Sequence, residues 1–149
     1  MATVQRPLLV GEYDFTLDAK NRVAVPARLR SAFAEGIYIT RWYESSLAGF
    51  APDRFQEYLD ARSGTEWALS SKGRAERRFI AGAAVWQELD GQGRVTLPVR
   101  LLDYATIGRE VTVIGVDDHI ELWDRAAWAA YRQTMEEGAD ATADELAAS

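Results

Sequence analysis

Asp18-Ala-Lys-Asn-Arg22-Val-Ala-Val-Pro26-Ala-Arg28-Leu29 recurs 72 residues later as Asp90-Gly-Gln-Gly-Arg94-Val-Thr-Leu-Pro98-Val-Arg100-Leu101, with Asp, Arg, Val, Pro, Arg and Leu in register. A repeat of this length means that one structural unit is used twice. Upstream, Tyr13, Phe15 and Leu17 alternate with polar residues, as a half-buried strand does, and Asn21 tolerates positive φ at a tight turn. Val23 and Val25 alternate in a second strand. Pro26 ends it by removing an N–H donor, and its fixed φ suits a first helical turn. The pattern therefore predicts a short helix over Ala27 to Ala34, with Leu29 and Phe33 on one face and Gly36 closing it.

Beyond the repeat core the register slips by one residue: Leu47 and Phe50 match Ile120 and Trp123, and Phe55 and Tyr58 match Trp128 and Tyr131. Strands are predicted at Ile37 to Thr40 and Leu47 to Ala51, then a helix after Pro52 carrying Phe55, Tyr58, Leu59 and Arg62 at helical spacing. The second half repeats the β-β-α-β-β-α order with Val85 to Leu89, Arg94 to Leu97, a helix from Pro98, Val111 to Val116, Ile120 to Trp123, and a helix capped by Asp124. Ser70-Ser71 is placed to start a helix containing Arg74, Arg77, Arg78, Phe79 and Ile80. The expected organisation is an N-terminal extension at 1–10, a first unit at 11–62, a linker with a helix at 63–81, a second unit at 82–137 and a flexible acidic tail at 138–149.

The whole chain of 149 residues is 48% hydrophobic and 27% charged, the balance of a soluble globular protein of one domain or two small ones. Its net charge of −6 speaks at first against a nucleic-acid partner. Five of the acids, however, lie within the last fourteen residues, where there is no Lys or Arg. The body is near neutral and carries basic clusters: Lys20, Arg22, Arg28 and Arg30 around Asp18, and Lys72, Arg74, Arg77 and Arg78 around Glu76. The stretch from Asp90 to Arg100 is poorer, with Arg94 and Arg100 alone. The excess of Arg over Lys fits either phosphate recognition or skewed genomic base composition.

With no cysteine, disulfides, thiolate metal sites and Cys nucleophiles are excluded. No apolar run is long enough for a membrane span, and Met1 to Val10 lacks the apolar core of a signal peptide, so a cytoplasmic location is expected. Asp117-Asp118-His119 is the one local group of possible metal ligands or acid/base residues. It falls at a hairpin position between apolar strands, where turn chemistry alone accounts for the two Asp. Neither catalysis nor a metal, organic cofactor or small-molecule substrate is expected. The paired aromatics are read as core or subunit packing rather than base-stacking platforms.

Several motifs in order, Gly11-Glu12-Tyr13, Leu17-Asp18-x-Lys20-x-Arg22-Val23-x-Val25-Pro26, Arg78-Phe79-x-x-Gly82-Ala83, Asp90-Gly-Gln-Gly-Arg94-Val-Thr-Leu-Pro98, Val113-Ile114-Gly115 and Ile120-Glu121-Leu122-Trp123-Asp124, resemble the bacterial MraZ transcriptional regulators. The resemblance covers about Gly11 to Tyr131. It implies an α+β, β-rich fold: two tandem AbrB-like (SpoVT/AbrB) swapped-hairpin units in a pseudo-two-fold barrel, with short peripheral helices. It also implies a ring-shaped homo-oligomer that binds short G-rich direct repeats in double-stranded DNA upstream of the division and cell-wall gene cluster, usually repressing it, and hence nucleoid association. This chain departs from the family in carrying Asn21 where Gly is usual, Gln92 where the first unit has Lys20, and a longer start.

Arg is the side chain best suited to reading guanine, because its planar fork meets O6 and N7 together. Arg22 is therefore the expected base reader. Lys20, Arg28 and Arg30 are expected phosphate contacts, and Arg94 and Asn21 complete the expected DNA surface. Asp18, Asp90 and Gly93 are read as structural members of the turns, with a carboxylate that accepts backbone N–H bonds and pairs with its Arg. Such pairing is also the plain structural reading of both arginines. The alternative at the level of the whole protein is a ring-forming interaction scaffold of the same fold with little DNA affinity.

Overall fold

The computed structural model describes residues 6–62 and 64–149. The first half contains β1 (Leu9–Thr16), β2 (Arg22–Ala24), a 3-10 turn (Ala27–Phe33), β3 (Ile37–Arg41), β4 (Leu47–Phe50) and α1 (Pro52–Ala61). Two helices follow, α2 (Thr65–Leu69) and α3 (Ser71–Ala81), the latter capped by the Ser70 hydroxyl, which accepts from the Gly73 N–H at 2.9 Å. The second half contains β5 (Val85–Gln87), β6 (Arg94–Thr96), α4 (Val99–Ala105), β7 (Glu110–Asp117), β8 (Ile120–Asp124), α5 (Arg125–Glu137) and α6 (Ala139–Ala148). The Asp124 carboxylate caps α5 through the Ala127 N–H.

Two elements differ from the sequence expectation. Ala27–Phe33 forms 3-10 rather than α-helix, with the Leu29 N–H bonding to the Pro26 carbonyl and the Gly36 N–H to that of Phe33, so that i→i+3 bonds open and close a segment held between Pro26 and the positive-φ Gly36. Where a frayed acidic tail is expected, Ala139–Ala148 forms a helix. Its alanines are the best helix formers, and they outweigh the acids and the chain end. Of the expected extension, residues 1–5 lie outside the described part; Arg6 pairs with Asp53 and Glu57 of α1, and Leu9 and Val10 already belong to β1.

The strands interleave the two halves. A six-stranded antiparallel sheet runs β1-β7-β8-β4-β3-β5, and β2 pairs with β6 in a separate two-stranded ribbon. The first strand of each half thus pairs with the third strand of the other, β1 along β7 from Leu9↔Asp117 to Thr16↔Glu110 and β5 along β3. The fold is α+β and strand-rich; among the described residues the sheet ends at β1 and β5, so its pairings make an open series rather than a closed barrel. Ribbon residues Val23, Val25, Val95 and Leu97 turn into the main core, where they meet Leu17, Leu29, Phe33, Ile37, Leu101, Val111 and Val113. Phe55 and Trp128 sit at equivalent places in α1 and α5, and each is buried in a satellite cluster, one around Phe50 and Ile80 and one around Ile114 and Trp123. Their partners differ in burial: Tyr58 is half-buried, whereas Tyr131 is exposed.

Candidate nucleic-acid interface

The ribbon carries both repeat turns. Asp18 closes the first: its backbone N–H donates to the Arg22 carbonyl at 3.0 Å, and its carboxylate accepts from the backbone N–H groups of Lys20 and Arg22, each at 2.9 Å. Asp90 closes the second in the same way, accepting from the N–H groups of Gln92 and Arg94 at 2.9 Å. Asn21 (φ 58°) and Gly93 (φ 74°) take the left-handed position in each turn. Their carbonyls accept the N–H of Leu97 and Val25, both at 2.8 Å, so each turn is tied to the strand that leaves the other. The ladder Arg22↔Thr96, Val23↔Val95, Ala24↔Arg94 completes the link.

The arginines are held by these aspartates. Arg22 Nε donates to Asp18 Oδ2 at 2.6 Å, and Arg94 Nε donates to Asp90 Oδ2 at 2.9 Å. Arg94 also reaches across, placing Nη1 3.5 Å from Asp18 Oδ2. The Arg22 backbone N–H, above all, together with its guanidinium and the Lys20 N–H, holds the Asp18 carboxyl down to about 2. Asp90 is lowered by the same set of donors from Arg94 and Gln92. These pairs are partly open to water, so they add little to stability. What they fix is the direction of each guanidinium.

Lys20 lies exposed at its turn tip and Arg28 lies exposed on the 3-10 turn. Arg30 has a different place: Nε donates to the Val25 carbonyl at 2.8 Å, and its guanidinium lies against Gly93, where a Cβ would collide with it. It braces the first strand exit against the second turn. Asn21 contributes its backbone to the ribbon. The sequence does not reveal Gln87, whose side chain donates to the Thr96 carbonyl and accepts from the Thr96 N–H, both at 2.8 Å, holding β6 on its side away from β2. Its counterpart in the first half is Phe15, so the repeat comparison carries no sign of it.

The other sequence candidates lie elsewhere. His119 is buried at the β7–β8 hairpin, with Nδ1 2.7 Å from Asp118 Oδ1 and Nε2 3.0 Å from Glu121 Oε2, and its ring lies 5.0 Å from those of Phe50 and Trp42. Burial opposes its charge, but the two carboxylates prevail and its pKa is raised. No group of His, Asp or Glu among the described residues is arranged to hold a metal ion. Nor is any helix among them long and apolar enough to cross a membrane.

The family model for the MraZ protein, antitoxin-like by its description, matches this chain twice, at residues 8–77 and 80–148. The chain belongs to the MraZ family. The first match runs from Leu8 through α2 into α3, and the second extends through α6, so both tandem units include the helices that follow their fourth strand. The description marks the family as regulatory, and in this chain His119 and its carboxylates bond to one another inside the β7–β8 hairpin.

Proposed function

We propose that this chain is a sequence-specific DNA-binding transcriptional regulator, most simply a repressor, of MraZ type. It acts on short G-rich direct repeats upstream of the division and cell-wall gene cluster, including its own promoter, as a ring-shaped homo-oligomer at the nucleoid. The reading supposes the swapped-hairpin arrangement of AbrB-like units, which the exchange of β1 and β5 between halves supports. The observation that carries it is the convergence of both Asp-x-x-x-Arg turns on the β2–β6 ribbon.

Arg22 uses Nε for Asp18 and so keeps the Nη1/Nη2 edge for O6 and N7 of guanine. Arg94 divides its donors between Asp90 and Asp18 and is the lesser reader. Lys20 and Arg28 meet phosphates, and Arg30 holds the frame. A ring repeats this modest surface, so weak contacts made together give strong binding to an array of repeats.

The test is a gel-shift titration of the oligomer on DNA upstream of its own gene and on a scrambled control, at two salt concentrations. Binding that prefers the native DNA and weakens with salt is expected. Equal and negligible binding to both by a well-formed ring would replace the regulator with an interaction scaffold.

A further inference from the structure

We infer that Arg109 and Arg125 are positioning residues, which strap the end of β1 to the rest of the fold and make the first turn the rigid reader of the pair. This inference rests on the DNA-binding reading above and adds groups that aim Arg22 without touching DNA. Arg109 stands across from Leu17, one step beyond the β1–β7 ladder. The Leu17 N–H donates to the Arg109 carbonyl at 2.8 Å, and Arg109 Nη2 donates back to the Leu17 carbonyl at 2.9 Å. Arg125, the first residue of α5, donates from Nη2 to the Phe15 carbonyl at 2.6 Å. The carboxylates of Asp14 and Glu110 lie 3.7 Å from its Nε and 3.6 Å from its Nη1. Two guanidiniums from the second half thus hold alternate carbonyls of the chain just before Asp18.

The Leu17 carbonyl belongs to the peptide that opens the turn. Its oxygen takes the Arg109 bond, while its N–H, that of Asp18, donates to the Arg22 carbonyl at 3.0 Å, so the peptide plane is held at both edges. That plane directs the Asp18 side chain, whose carboxylate holds Arg22 Nε at 2.6 Å. A continuous run of bonds therefore leads from the start of β7 to the guanidinium that is to meet guanine. Support of this kind matters because a two-bond fit to a base tolerates only small errors of angle.

The second turn has no such strap. Carrying the β3–β5 register two residues past Ile37↔Gln87 sets Glu35 across from Leu89, where Leu17 of the first turn meets Arg109. α1 begins with Pro52 where α5 begins with Arg125. Neither a carboxylate nor a proline ring can donate to a carbonyl, so the Leu89–Asp90 peptide receives no side-chain bond from either place. The strap and the fuller set of cations, Lys20 and Arg28 with Arg22, therefore coincide on one turn. Fixed direction and phosphate attraction together are what a base reader needs, and the first turn alone has both.

Two measurements on the full chain test this. Without DNA, Arg109→Ala should speed amide exchange at the Asp18, Lys20 and Arg22 N–H groups about three- to tenfold and leave Gln92 and Arg94 as they are, and Arg109→Lys should restore part of the protection. With DNA, competition gel shifts should show Arg109→Ala losing most of its preference for the DNA upstream of its own gene over a scrambled control. Its affinity for the control, and the salt slope, should stay as in the wild type. Arg125→Gln should act in the same sense and less. Unchanged exchange in the first turn, equal loosening of both turns, or a preference kept in spite of faster exchange would overturn the positioning role. Weaker binding to both DNAs with a salt slope lower by about one would replace it with a direct phosphate contact. A wild type that prefers neither DNA, while Arg109→Ala still loosens the first turn, would overturn the regulator reading and reduce the strap to a support of the fold.

Discussion

Arg22 donates Nε to Asp18, and that choice decides which edge of the guanidinium remains for a base. Arg22→Ala should keep the assembled mass and the melting temperature but lose preference for G-rich repeats, by about 1–3 kcal/mol in competition gel shifts against scrambled DNA. Arg22→Lys should not restore it, since a point charge cannot make two fixed bonds. Asp18→Asn should relax both arginines at once, because one carboxylate oxygen faces Arg22 Nε and Arg94 Nη1. The folded-state pKa of Asp18 lies near 2, below its ordinary value, so its hold on the turn is complete above about pH 4 and is lost as pH falls through about 2. His119 titrates with the other sign. Its pKa is raised, so the stability it contributes is fully present below its ordinary value of about 6.5 and disappears as pH rises through the raised one. Melting curves of wild type and His119→Phe should therefore differ more at pH 6 than at pH 9, because the neutral ring can donate to only one of Asp118 and Glu121.

The two turns are one element written with different residues. Asn21 and Gly93 occupy the same left-handed position, but Gly93 also has the Arg30 guanidinium lying on its Cα. Gly93→Ala should cost about 1–3 kcal/mol in urea unfolding, from backbone strain and the displaced brace, whereas Asn21→Gly should fall within about 0.5 kcal/mol of wild type. Alternating Val23 and Val25, Pro26 and the turn residues make the strand, its end and the turn legible in the sequence, because each is governed by near neighbours. The partner of each strand was not legible in that way. Nothing local in Tyr13 or Phe15 says that β1 lies along β7, nearly a hundred residues away. In the candidate site, Asp18 and Arg22 were readable as a pair through their spacing. The reach of Arg94 to Asp18 and the brace from Arg30 to Val25 exist only after the halves have folded together. In the tail the charge and the small residues suggest a frayed end, whereas the helix of Ala139–Ala148 follows from its alanines, whose propensity acts residue by residue.

Interleaving ties the fate of one half to the other. A fragment of residues 6–81 lacks β7, the neighbour of β1, and β6, the neighbour of β2. It should be unfolded, or should recover those neighbours by exchanging strands with a second fragment. Sedimentation and amide protection would show this, and a folded monomeric fragment would refute the interdependence. The same arrangement has a consequence for recognition. Two identical chains exchanging strands would present a surface that looks the same after half a rotation, and such a surface suits a palindrome. Here a single chain carries both halves, and they have drifted apart: the first turn has Lys20 and Asn21 where the second has Gln92 and Gly93, and only the first has the fuller cationic surroundings. The ribbon therefore has a front and a back, and laid along a duplex it acquires a polarity that no symmetric dimer could possess.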